Sequence, residues 1–242
     1  EDTQLRLLMS YLNQLLETFL LVQDTQAQLS QRKLRLAAAY RKRGLMGQYE
    51  RNIRAFEKEL AAQPLRNAFH YGLLRECAFE RYETTIAQKP SDTESLAFLT
   101  YSTDVHYLSD RLRLVCLELS QKNVYRSGEV ASAHQYILAL AEQKQWCDLP
   151  GISTYLAASK MLLYPTENAY YQLFKEKMEE AKAVFSEAEI RECYTFSVNH
   201  CIKRANGGEK AYEKELFDLY RLMLDAGHLF EYGALSRFTY HN

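Results

Sequence analysis

The sequence predicts an all-α protein of about ten helices, paired as antiparallel hairpins that stack into a repeat array. Three observations carry this. Apolar residues recur every three or four positions along almost all of the 242 residues, the period of a helix with one buried face. Proline occurs only four times (Pro64, Pro90, Pro150, Pro165), each time between two such stretches, where a residue without a backbone donor ends a helix. Glycine is scarce as well, with nine in the whole chain.

The first helix is predicted over about 2–23, with Leu5, Leu8, Leu12, Leu15, Leu16, Phe19 and Leu20 on one stripe. A second begins near Thr25, carries Leu29, Leu34, Leu36 and the small run Ala37 to Ala39, and closes on a left-handed cap at Gly44. The third covers about 47–62, with Tyr49, Ile53, Phe56 and Leu60, and stops at Pro64. The fourth runs over about 65–88, using Phe69, Leu73, Leu74, Cys77, Phe79 and Ile86. Ser91-Asp92-Thr93-Glu94 then opens a long fifth helix to about Gln121, with acids placed to favour the N-terminal dipole.

A loop is expected over 123–128, followed by a sixth helix over about 129–145. The seventh is short and ends at Leu163-Tyr164, and Thr166 is expected to cap an eighth that continues to about Phe185. Ser186-Glu187-Ala188-Glu189 has the spacing of a capping box and opens a ninth helix, closed by Gly207-Gly208. The tenth covers about 209–226, and residues 236–242 read as the start of an eleventh. Ten helices joined by short links give five hairpins of roughly 35 to 50 residues, the size of known helical repeats. One hairpin cannot bury its apolar face alone, so neighbours must share a core. Residues 1–242 are therefore expected to form a single helical-repeat domain, with a possible subdivision near 122–128, as a fragment of a longer array.

One hairpin carries more than periodicity. Gly47-Gln48-Tyr49, followed by Ile53, Phe56, Leu60 and Pro64, resembles the second helix of a tetratricopeptide repeat, and Leu36, Ala37 and Tyr40 are similar to the first. Asn52 and Glu59 stand where that family usually has small alanines. The C-terminal run from Glu215 to Tyr220, through Leu229-Phe230 and Leu235-Ser236, is similar to uncharacterised bacterial proteins with degenerate repeats of this kind. The resemblance implies a TPR-like solenoid, a right-handed α–α superhelix with a concave face that binds proteins.

Composition narrows the classes of function. The formal net charge of −1 gives no global attraction to nucleic acid or to an anionic membrane. No apolar run reaches the roughly 20 residues of a membrane span, since Glu17 and Thr18 break the longest candidate. Five cysteines (Cys77, Cys116, Cys147, Cys193, Cys201) make an odd set without a CxxC pair, which predicts buried thiols in a reducing, cytoplasmic setting. Metal-ligand spacing is absent: Asp225 with His228 is the nearest approach. No cofactor is expected.

Two surfaces are candidates for binding. Arg32, Lys33, Arg35, Arg41, Lys42 and Arg43 are six bases with no acid between them, able to hold an anionic partner. At about 100° per residue they scatter around the helix, so a solvated helix favouring its C-terminal dipole is the plainer reading. Tyr164, Tyr170 and Tyr171, from a chain with eighteen tyrosines, could line a peptide-binding groove or fill gaps between helices. His200 beside Cys201, with Cys193 two turns earlier, suggests a nucleophile or metal, but one His and two thiols do not complete a zinc site. Trp146, beside Cys147, reads as a packing anchor. The sequence thus favours a non-enzymatic module that binds a protein or peptide. The alternative is a nucleic-acid-associated regulatory protein acting through the basic helix.

Overall fold

The structure, a computed structural model, describes residues 2–27, 29–125 and 132–225. They form ten α-helices and no strand: α1 (Asp2–Ala27), α2 (Leu29–Lys42), α3 (Met46–Ala62), α4 (Ala68–Gln88), α5 (Glu94–Tyr125), α6 (Ser132–Ala141), α7 (Pro150–Leu163), α8 (Asn168–Ala181), α9 (Glu187–Asn206) and α10 (Ala211–Asp225). The expected eleventh helix, the end of α10 at Gly227, and most of the 123–128 loop lie outside the described residues. Asn123 itself is still helical, because α5 runs on to Tyr125. The chain divides into two compact units, Glu1–Gln63 with Gly72–Ser102, and Pro64–Tyr71 with Thr103–Asn242.

In the first unit, α2 turns back on itself at Gly44, whose φ of 72° is open only to a residue without Cβ strain. Leu45 donates its N–H to the Tyr40 carbonyl and Gly44 to the Arg41 carbonyl, the two bonds of a Schellman cap. The turn lays α3 antiparallel on α2. Tyr49, Ile53, Phe56 and Leu60 on α3 are buried at helical spacing, and they pack with Leu34, Ala37, Leu73 and Cys77. Charged groups fasten the rim of this core. The Arg81 guanidinium bonds both Glu57 oxygens at 2.7 Å and reaches Glu50 at 3.0 Å. These hydrogen bonds raise the Arg81 pKa further above its ordinary value.

In the second unit, α7 is buried on every side, from Gly151 through Ser159 and again at Met161 and Leu162. Its sequence explains this, since small and apolar residues alternate with no charge before Lys160. A Cβ at Gly151 would meet the Arg66 carbonyl oxygen at 3.0 Å and the Ser109 hydroxyl at 3.1 Å, so only glycine lets these backbones approach without displacement. Helix α8 lies against α7 with Tyr171, Phe174, Met178 and Ala181 inward. Its N-cap is Glu167, without a side-chain bond, so Thr166 does not cap it as the sequence suggested. The chain instead folds through a turn in which Glu167 N–H donates to the Tyr164 carbonyl.

The capping box at Ser186 forms as expected, with the Glu189 N–H donating to the Ser186 hydroxyl and the Ser186 N–H donating to the Glu189 carboxylate. Glu189 also accepts from the Asn67 amide at 2.7 Å, and Asn67 in turn accepts from the His70 N–H at 3.0 Å. One carboxylate therefore ties two helix starts together. Helix α9 ends in a second Schellman cap, but Gly208 (φ 93°) takes the left-handed position while Gly207 does not.

Candidate functional site

The basic run is split by its own neighbours. Arg41 lies against Glu80 at 2.8 Å and Glu83 at 3.6 Å, and the Glu80 hydrogen bond raises its pKa. Lys33 pairs with Glu59 on α3. Arg43, just past the end of α2, donates back to the Ala39 carbonyl at 3.0 Å, as expected of a base at a helix C-terminus. Arg32, Arg35, Lys42 and Arg43 keep exposed side chains with no ion pair among the described residues. The structure thus makes two of the six bases into inter-helix fasteners and leaves the other four exposed.

The three tyrosines also divide. Tyr164, 49% exposed, and half-buried Tyr170 face each other with ring centroids 5.5 Å apart. Tyr171, 1% exposed, belongs to the core. Its hydroxyl donates to Glu215 at 2.9 Å and accepts from the Cys201 thiol at 3.3 Å. Lys175 holds the same Glu215 oxygen at 2.5 Å.

His200 completes this cluster. Its ring stacks on Tyr171 at 4.7 Å and meets Tyr212 edge-on at 5.6 Å. Burial, with the Arg204 and Lys203 charges, lowers its pKa to about 4, so the imidazole is neutral over the physiological range. Burial raises the Cys201 thiol to about 11, and Cys193 is raised for the same reason. Neither thiol is poised as a nucleophile. The cluster is one of aromatic stacking closed off by a hydrogen-bonded carboxylate. Among the described residues no three His, Cys, Asp or Glu side chains converge to hold a metal. His228, the proposed companion of Asp225, lies outside them. Trp146 is buried, as a packing anchor would be.

The most exposed apolar surface is one that periodicity alone did not single out as a site. On α1, Leu5, Leu7, Leu8, Met9, Tyr11, Leu12, Leu15, Leu16, Phe19 and Leu20 are each between 48% and 67% exposed. Single exposed leucines are ordinary on a protein surface, but ten large apolar side chains exposed along one helix are not. The signal was present in the sequence as the stripe itself. Period fixes which side chains share a face and says nothing about what covers that face.

A comparison with protein-family models, with curated proteins and with solved structures gives no match for this chain.

Proposed function

We propose that this protein is a non-enzymatic helical module that binds a protein partner, with α1 as the principal contact. The observation that carries it is the row of large apolar side chains on α1. Supporting it, Arg81 is held by Glu50 and Glu57, and Tyr171 by Glu215 and Cys201, as parts of the packing of their own units. The hairpins α2–α3, α7–α8 and α9–α10 are the units from which a TPR-like α–α superhelix is built. Small-angle scattering tests that part of the proposal: a compact, near-spherical particle would reject the solenoid. The buried free thiols favour a reducing, cytoplasmic setting. No described helix is long and apolar enough to cross a membrane.

The direct test is capture of partners by the immobilised chain, with and without nuclease, beside a variant carrying Leu12→Glu and Leu15→Glu. Nuclease-resistant capture lost in the variant supports the module. A second reading, nucleic-acid binding through α2, rests on the four exposed bases. It requires nuclease-sensitive capture that weakens steeply with salt and on neutralising Arg32, Arg35 and Lys42.

A further inference from the structure

The apolar positions of α1 have a finer order than helical period. Leu5, Leu8, Leu12, Leu15 and Phe19 are spaced three, four, three and four apart, and Val22 continues the register in the sequence. This is the a and d pattern of a coiled coil, in which successive side chains stay on a seam facing a second helix. Met9 and Leu16 fall at e and widen the seam. Arg6, Ser10, Asn13 and Glu17 fall at b and f, away from it, and the exposed Leu20 at b and Leu7 at c lie outside it as well. A helix that served only a globular core would need no strict heptad, because an irregular stripe packs there equally well.

We infer that the α1 seam pairs with α1 of a second copy of this chain. Three observations favour a second copy over another occupant. Extent comes first: the exposed a, d and e residues from Leu5 to Phe19 present on the order of 700 Å², the upper bound of what pairing can bury, of the same order as the roughly 800 Å² per partner of a standard interface. Charge comes second. Positions e and g carry Met9, Leu16, Tyr11 and Thr18, so two like seams meet without repulsion and without selecting a charged partner. The whole helix carries Arg6 against Asp2, Glu17 and Asp24, which does not favour an anionic lipid surface. Third, a seam repeating the same side chain is complementary to itself about a two-fold axis, the commonest symmetry of soluble oligomers. At 26 residues α1 is about 39 Å long, enough for three heptads in register.

The inference deepens the binding-module reading and rests on the same surface, so its test separates the two. Sedimentation equilibrium of the full chain between about 1 and 100 μM is expected to show a dimer, within the range where modest interfaces report. The Leu12→Glu and Leu15→Glu variants place a carboxylate in the seam. Each is expected to weaken dimerisation by roughly a hundredfold or more. Both sites are exposed in the single chain, so far-UV circular dichroism should match the parent. A wild-type chain that stays monomeric overturns self-pairing, as does a variant that dimerises with unchanged affinity. Association with neutral phosphatidylcholine vesicles in place of dimerisation also overturns it. The module reading survives any of these unless the same variants leave partner capture intact.

Discussion

Glu189 offers the sharpest test of how the second unit is held. Its carboxylate is buried, and one of its oxygens accepts from the Ser186 N–H at 3.0 Å, the Ser186 hydroxyl at 2.7 Å and the Asn67 amide at 2.7 Å. Replacement by alanine removes the capping box, a loss of about 1 kcal/mol. It also strands the buried Asn67 amide, at about 1–3 kcal/mol for a donor left without an acceptor. The sum is about 3 kcal/mol. Glu189→Gln keeps the shape and one carbonyl acceptor and should lose about half of that. Glu187→Ala, exposed in the same helical turn, is expected to shift stability by less than about 0.5 kcal/mol. Urea unfolding followed by far-UV circular dichroism reads the difference. With a slope near 3 kcal/mol per molar, the alanine variant's midpoint should fall by about 1 M. If the two units unfold separately, only the transition of the second should move. A Glu189→Ala midpoint indistinguishable from the parent, or equal to that of Glu187→Ala, refutes the argument.

Gly151→Ala is expected to destabilise by about 1–3 kcal/mol, because the new methyl meets the Arg66 carbonyl at 3.0 Å; thermal unfolding checks it, and an unchanged midpoint rejects the close approach. His70 and His200 are both lowered to about 4 by burial, with nearby arginines adding to it. A lowered base disfavours protonation of the folded state, so their contribution is complete above about 6.5 and lost as pH falls toward 4. Each fall, from 6.5 to about 4, is worth up to about 3 kcal/mol. His200→Phe should flatten the stability profile between pH 6.5 and 4; an unchanged slope counts against it. Thiol titration with Ellman's reagent at neutral pH should modify Cys147 quickly. Cys77 and Cys116, raised to about 12 by burial, should react only on unfolding. Fast release from more than one thiol in the folded chain contradicts the burial of Cys77, Cys116, Cys193 and Cys201.

Much of the local structure was legible before the fold was known, and for local reasons. A cap is decided within four residues, so Ser186 with Glu189 and the left-handed turn at Gly44 could be read directly. A boundary that depends on distant groups is not legible locally. Thr166 has the chemistry of a cap, yet the turn closed by the Tyr164 carbonyl moves the helix start to Asn168, whose Oδ1 accepts from the Tyr212 hydroxyl. Arg41 and Lys33 belonged to a basic run in the sequence, and only pairing with Glu80 and Glu59 turned them into fasteners. Tyr171 was grouped with Tyr164 and Tyr170 by proximity, but helical rotation sends adjacent residues about 100° apart and places Tyr171 inward.

By itself the sequence determined the helical class and most of the helices among the described residues, because period and capping act within a turn or two of chain. It did not determine which apolar positions are covered, since Leu36, Phe69, Phe79 and Leu96 were on the predicted stripes and stand exposed. Tertiary structure decided which faces were covered. Helix α7 is enclosed on all sides while α1 shows its apolar seam to solvent, although both are rich in leucine and neither carries more than a few charges. The physical reason is that burial is a property of pairs of elements. A stripe records that a helix has an apolar face, and only the fold fixes whether anything lies against it.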